Sequence, residues 1–185
     1  MSNELTADLR IEPLASAHDR AHFSCGLDSL DTYLRTQAGQ DIRRKANAVF
    51  VLVDASQPKD ILGYFTLCAS ALSQGDVPEH ARKLVPRYPL VSATLIGRLA
   101  TAKHMQGQGL GGILLTQALR KAYESASTVG SSMVIVDAID ATACGFYAAH
   151  GFVRLPDSMR LVLPISSIAK LVGQPSRVAE GSKAP

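Results

Sequence analysis

The chain has 185 residues, of which 46% are hydrophobic and 19% charged; that fits one compact domain with a real core and excludes global disorder. Its net charge of +3 is only mildly basic and by itself says little about a polyanionic partner. No apolar run reaches the roughly 18 residues that span a bilayer. Met1 to Leu14 carries Glu4, Asp8, Arg10 and Glu12 and lacks the apolar stretch of a secretory signal. Cys25, Cys68 and Cys144 are widely spaced and odd in number, so they read as small buried hydrophobes and not as a disulfide framework or a zinc site. A cytoplasmic location follows. His18 and His22 lie four apart with no third ligand nearby and read as surface residues, so no metal is expected.

Leu9 to Leu14 alternates as a first strand. Asp28 stands where a cap is expected. Behind it Leu30, Tyr33, Leu34, Ala38 and Ile42 recur at helical spacing, predicting an amphipathic helix over Ser29 to Lys45 with Arg35, Arg43, Arg44 and Lys45 on its other face. Ala48 to Asp54 and Ile61 to Leu72 are β-rich runs joined by the polar turn Ala55 to Asp60. Val77 to Val85 predicts a short helix that starts near Pro78 and stops at Pro86, and Leu90 to Ala102 another strand. A glycine-dense loop, His104 to Gly112, then opens into a widely buried helix carrying Leu114, Leu115, Ala118, Leu119 and Ala122. Met133 to Ala138 is a continuous apolar strand. Asp140 or Thr142 caps a short helix that Gly151 closes. Phe152 to Leu155 and Met159 to Leu163 complete the strands, and Ile165 to Val172 adds a helical turn or two. The order predicts a mixed, mostly antiparallel α/β sheet with helices on both faces and a β-loop-α unit at its centre. One domain spans 1–172, with a frayed polar tail over 173–185.

The chemistry concentrates in that central unit. Glycines at 107, 109, 111 and 112 let a backbone approach a ligand closely, and the helix that follows offers free N–H groups and a dipole to an anion. A pyrophosphate is the natural occupant, and Gln106 can add a side-chain donor. The alternative is a tight turn that simply needs glycine. The spacing is neither the dinucleotide fingerprint nor a Walker loop, since Gly112-Ile113-Leu114 lacks the Lys-Ser/Thr ending.

Gln106-Gly107-Gln108-Gly109-Leu110-Gly111 resembles the Q/R-x-x-G-x-G/A loop of the GNAT N-acetyltransferases. Ile96-Gly97-Arg98-Leu99-Ala100 before it, and Phe146-Tyr147-Ala148-Ala149-His150-Gly151-Phe152 after it, fit the same family, so the resemblance runs from about Leu9 to Leu163. The segments Gly26-Leu27-Asp28-Ser29-Leu30-Asp31-Thr32-Tyr33-Leu34, Gly97-Arg98-Leu99-Ala100 and Val136-Asp137-Ala138-Ile139-Asp140 look like those of the acetyltransferase toxins of bacterial type II toxin–antitoxin pairs. One departure is Thr101-Ala102-Lys103, where a more acidic segment is expected.

The resemblance implies a GNAT fold, acetyl-CoA as cosubstrate, and transfer of its acetyl group to the α-amino group of aminoacyl-tRNA, which blocks translation. It implies a small ribbon–helix–helix antitoxin as partner, operator DNA only through that complex, and allows a homodimer. It places acetyl-CoA on Leu99, Ala100, Thr101 and the run Gln106, Gly107, Gln108, Gly109, Leu110, Gly111 and Gly112. Tyr147 becomes the catalytic acid; by the residues alone it reads as a core tyrosine on the stripe Ala143, Phe146, Tyr147, His150. The cations Arg35, Arg43, Arg44, Lys45, Arg82, Lys83, Arg87 and Arg98, otherwise a solvated face, become a cradle for tRNA phosphates. Arg98, inside an apolar run, is expected to point into the substrate cleft. No carboxylate stands out as a general base. That suits an α-amine, which ordinarily titrates at about 7.7–8.0, better than a lysine near 10.4. A GNAT acting on a protein N-terminus or a small amine, and a non-catalytic CoA- or DNA-binding regulator, remain as alternatives.

Overall fold

The computed structural model describes residues 8–172 and 178–180. In chain order the elements are β1 (Leu9–Pro13), α1 (Asp28–Thr32), α2 (Ala38–Arg43), β2 (Ala48–Asp54), β3 (Gly63–Ser73), β4 (Leu90–Thr101), α3 (Leu110–Val129), β5 (Met133–Asp137), α4 (Ala141–Ala149), β6 (Val153–Arg154), β7 (Arg160–Pro164), α5 (Ala169–Val172) and β8 (Ala179–Glu180). The mixed α/β order expected from the sequence is therefore present. Among the described residues no helix is long and apolar enough to cross a membrane.

The chain divides into two units. Of the described residues, the first holds 8–66, 98–117 and 178–180, and the second 67–97 and 118–172; β3, β4 and α3 run from one into the other. In the first unit the strands lie in the order β8-β1-β2-β3-β4. β1 and β2 are antiparallel, from Leu9↔Asp54 to Pro13↔Phe50. Phe23, Tyr33, Leu34, Val51, Val53, Tyr64 and Ala100 form the core of this unit. The close packing at Gly63 is specific to glycine. A Cβ there would stand 2.5 Å from Leu114 Cδ1 and 2.9 Å from the Ala100 carbonyl oxygen, so any side chain would push α3 away from the strands.

The predicted helix at 29–45 forms, but not as one continuous α-helix. Residues Tyr33–Gln37 are a π turn between α1 and α2, closed by the Ala38 N–H bonding back to the Tyr33 carbonyl. The wider turn re-phases the chain so that Tyr33, Leu34 and Ala38 all bury. The expected cap at Asp28 is corrected: Leu27 holds the cap position without a side-chain bond, and Asp28 is the first helical residue. Gly26, at φ 91°, stands immediately before that cap.

His18 is likewise corrected. It is buried, accepting the Ala15 N–H on Nδ1 at 2.9 Å and meeting Glu12 Oε1 through Nε2 at 2.6 Å. With Nδ1 as acceptor, the proton sits on Nε2 and is directed at the carboxylate. His22, which pairs with Asp19, is exposed. Among the described residues no three His, Cys, Asp or Glu side chains converge as a metal site. Of the cysteines, Cys25 and Cys144 are buried and Cys68 half-buried.

In the second unit the strand order is β3-β4-β5-β7-β6. β4 and β5 are parallel, while β5 and β6 each pair antiparallel with β7. Val91, Ala93, Met133, Ile135, Leu155 and Val162 pack with Leu72, Val77 and Ala81. The predicted helix at 77–85 is a 3-10 helix over Glu79–Leu84, preceded by Pro78. The expected tail over 173–185 lies mostly outside the described residues. Its described part, 178–180, contributes a buried Val178 and places β8 parallel to β1 through Arg10↔Ala179.

Candidate active site

In the first unit the site begins where β4 outruns a partner. The β4–β5 ladder ends at Ile96↔Val136, yet β4 continues to Thr101. Leu99 and Thr101 are half-buried and Ala100 buried. After a 3-10 turn at Lys103–Met105, the chain enters the glycine loop with Gly107 at φ 78° and Gly109 at φ 82°. Both values lie in the left-handed region that glycine adopts without strain. A Cβ at either position would meet nothing within 4 Å, so these glycines serve backbone direction and open space, not packing.

The direction matters because of the helix that follows. The first bond closing α3 is Ile113 N–H to the Gly109 carbonyl. The N–H groups of Gly107 through Gly112 take no acceptor among the described residues. They belong to the turn that leads into the 20-residue α3 and to its first residues, where the helix dipole adds positive potential. Leu110, buried, anchors the first turn beneath them. This arrangement fits a diphosphate, whose oxygens accept several backbone donors at once. The expected donor role of the Gln106 side chain is revised. Its amide nitrogen donates to the carbonyls of Cys25 at 2.8 Å and Thr101 at 3.2 Å, so both hydrogens are engaged within the protein. Gln108 Nε2 reaches the His104 carbonyl. A cavity of about 590 Å³ opens beside the loop's start, lined in part by His22, Ser24, Lys103 and His104.

The basic residues fall in both units. Arg35, Arg43, Arg44 and Lys45 belong to the first, and all are exposed. Arg43, Arg44 and Lys45 make no ion pair with a described residue, so their charge faces solvent. Arg98 differs. It is half-buried, and its guanidinium carbon lies 3.5 Å from the Tyr33 ring centroid. Arg82, Lys83 and Arg87 belong to the second unit and are exposed; Arg82 Nε donates to the Val77 carbonyl.

Tyr147 lies in the second unit on α4. Asp140 caps this helix by accepting the Ala143 N–H at 2.8 Å, which decides between the two cap candidates. Gly151, at φ 92°, closes the other end. Tyr147 is 9% exposed and meets Phe146 and Phe152 edge to face. Its hydroxyl has no hydrogen-bond partner among the described residues, and burial pushes the phenol up to about 12. It is thus both a core tyrosine and a protonated group with a free donor. Asp137, at the end of β5, is held bidentately by Arg160 at 2.7 and 2.9 Å. Both of its oxygens are thereby engaged by Arg160.

Arg160 and Arg154 are site candidates that the sequence motifs do not point to. With Arg82, Asp76, Glu79 and Asp137 they line a cavity of about 940 Å³ in the second unit. The one available signal is a charge inside the strand run Arg160–Pro164, whose other side chains are buried.

The family pattern of the acetyltransferase (GNAT) domain matches residues 46–154, more than half of the chain. This chain belongs to the GNAT acetyltransferases. Among relatives, it is similar to the tRNA-acetylating toxin of Mycobacterium tuberculosis, 29% identical over 161 residues, covering 86% of this chain and 94% of that protein. Among solved structures, it is similar to AtaT complexed with acetyl-methionyl-tRNA, with TM-score 0.81 and 30% identity over 89% of this chain and 99% of that one. It is also similar to an AtaT mutant bound to acetyl-CoA and the C-terminus of the antitoxin AtaR, with TM-score 0.76 and 28% identity over 90% and 99% of the two chains. As a GNAT acetyltransferase, the protein carries the fold and the β-loop-α unit expected from its sequence.

Proposed function

We propose that this GNAT acetyltransferase transfers the acetyl group of acetyl-CoA to the α-amino group of aminoacyl-tRNA and so acts as a translation-blocking toxin. The observation that carries the cosubstrate half is the row of free N–H groups from Gly107 to Gly112 at the head of α3, a cradle for the pyrophosphate of acetyl-CoA. The acceptor half is supported by the relatives that act on or hold tRNA. A ribbon–helix–helix antitoxin is the expected partner, consistent with the antitoxin-bound AtaT. Charged tRNA is a cytoplasmic substrate, and we place the protein there.

In this reading Leu99, Ala100 and Thr101 offer backbone groups to the pantetheine arm. The α-amine attacks the thioester carbon, the C–S bond breaks, and the amine's extra proton leaves to water. Tyr147 donates its hydroxyl proton to the departing sulfur and recovers it from solvent. A phenol near 12 is a weak acid toward a thiolate free in water, whose ordinary value is about 8.5. Desolvation disfavours a departing thiolate as it does the phenolate, which narrows the gap. No side chain is needed as base, because about a tenth of an α-amine is already neutral at pH 7. Arg35, Arg43, Arg44, Lys45, Arg82, Lys83 and Arg87 would contact tRNA phosphates.

The deciding experiment offers labelled acetyl-CoA with charged tRNA, uncharged tRNA, or a free N-terminal peptide. Label should enter charged tRNA alone and leave with the amino acid on mild ester hydrolysis as an N-acetyl amino acid. Label in the peptide, or none in any acceptor, would overturn the reading.

A further inference from the structure

The segment Ser24–Cys25 sits between two sets of hydrogen bonds within the first unit. On one side is Asp31 of α1, a carboxylate only 5% exposed. It accepts the Cys25 N–H on one oxygen at 2.8 Å and the Ser24 hydroxyl on the other at 3.0 Å. On the other side is the approach to the glycine loop. The Lys103 N–H donates to the Ser24 carbonyl at 2.8 Å, and the Gln106 amide donates to the Cys25 carbonyl at 2.8 Å and the Thr101 carbonyl at 3.2 Å. Gln106 is the residue immediately before Gly107. α1 is itself tied down, since the Tyr64 hydroxyl donates to the Leu30 carbonyl at 2.8 Å and Tyr64 meets the rings of Phe23 and Tyr33.

A buried carboxylate is a costly way to hold a helix against a core; an apolar residue packs as well without desolvation. What a carboxylate adds is direction, because two fixed acceptors hold a turn in one orientation. Here the turn so held presents its carbonyls to the residues that open the loop. Glycine at 107 and 109 leaves that loop conformationally free, and free glycine backbone loses much entropy when it closes on a ligand. A brace at its first residue lessens that loss.

We propose that Asp31 is a positioning residue for acetyl-CoA: it fixes Ser24–Cys25, whose carbonyls with that of Thr101 hold Lys103 and Gln106, and thereby sets the N–H cradle of Gly107–Gly112. This rests on the assignment of that cradle to acetyl-CoA. It gives the Gly26–Leu34 segment a role in cosubstrate affinity, and it gives the first residue of the glycine motif a role as a brace, not as a ligand.

The test uses the full chain, acetyl-CoA calorimetry and steady-state acetylation. Asp31→Asn and Gln106→Met should each raise Kd and KM for acetyl-CoA about tenfold while kcat at saturating acetyl-CoA stays unchanged. The double variant should bind no worse than Gln106→Met alone, because both changes release one brace. Asp31→Asn that melts lower yet binds acetyl-CoA with unchanged affinity would reduce Asp31 to a stability role and overturn the proposal, as would fully additive losses. If Asp31→Asn fails to melt cooperatively, Ser24→Ala takes its place. It removes one of the two bonds from an exposed residue, and unchanged affinity there also overturns the proposal. Gly109→Asp serves as reference: if it binds acetyl-CoA normally, the assignment of the loop fails, whatever Asp31 does.

Discussion

The guanidinium of Arg98 lies over Tyr33 with its carbon 3.5 Å from the ring centroid, while the Tyr33 hydroxyl donates to Asp41 at 2.9 Å. Asp41 also accepts from Asn47 at 2.8 Å, and these two hydrogen bonds, first that of Tyr33, hold its carboxyl below the ordinary value; the charges of Arg98 and Arg44 add to the effect. The charge expected to meet substrate therefore has a partner at the π turn. Arg98→Gln should lower stability by about 1 kcal/mol, the scale of a partly desolvated cation–π contact. A thermal melt reads this directly. The salt slope of tRNA binding should not change, and a slope reduced by about one unit would instead place Arg98 on a phosphate.

Tyr147→Phe removes one hydroxyl and keeps both ring contacts, to Phe146 and Phe152. Because no described residue hydrogen-bonds that hydroxyl, its loss leaves no orphaned partner, and the melting temperature should hold steady. General acid catalysis contributes roughly 10²–10⁴-fold, so kcat should fall within that range while KM for acetyl-CoA stays put. Full activity in a correctly folded variant would make Tyr147 a packing residue only.

The pH dependence follows from two groups. The acceptor amine reacts when neutral, so the rate should rise with pH until it levels above about 8. As the proposed acid, Tyr147 is competent while protonated. Burial raises its value to about 12, so the acid form persists through the whole alkaline range in which the protein can be assayed. The expected profile is a rise to a plateau that extends beyond about pH 10, the ordinary value of a phenol. A single-turnover series corrected for ester hydrolysis checks it, and a falling limb at that ordinary value would mean an unshifted phenol or another essential acid.

Arg43 and Arg44 are exposed, and neither has an ion-pair partner among the described residues. Reversing both to Glu should weaken tRNA binding and flatten the dependence of log K on log salt by about one to two units, since fewer counterions are released. Acetyl-CoA affinity should be unaffected. An unchanged slope would leave this helix as a solvated face.

What the sequence by itself determined was the order of elements and the location of the glycine loop at the head of α3. Both are written in short-range terms: period-2 and period-3.6 apolar patterns, and glycines spaced so that a backbone turns into a helix N-terminus. The strands from Leu9 to Thr101, the start of α3 and the Gly151 stop all came from such local rules, and each lies within a residue or two of its expected bounds, whereas α3 runs on to Val129, past the last apolar position the pattern marked, and the choice of Asp140 over Thr142 as cap came from the structure. What only the tertiary structure decided was what each polar side chain faces. Gln106 is bonded to Cys25, 81 residues away, and Tyr64 to Leu30, 34 away. Gly63 is glycine because Leu114 and the Ala100 carbonyl stand against it, and His18 is buried because Glu12 meets it. No local pattern encodes these contacts: a polar residue's spacing says which face of an element it occupies, whereas its partner is set by which distant segment folding brings alongside.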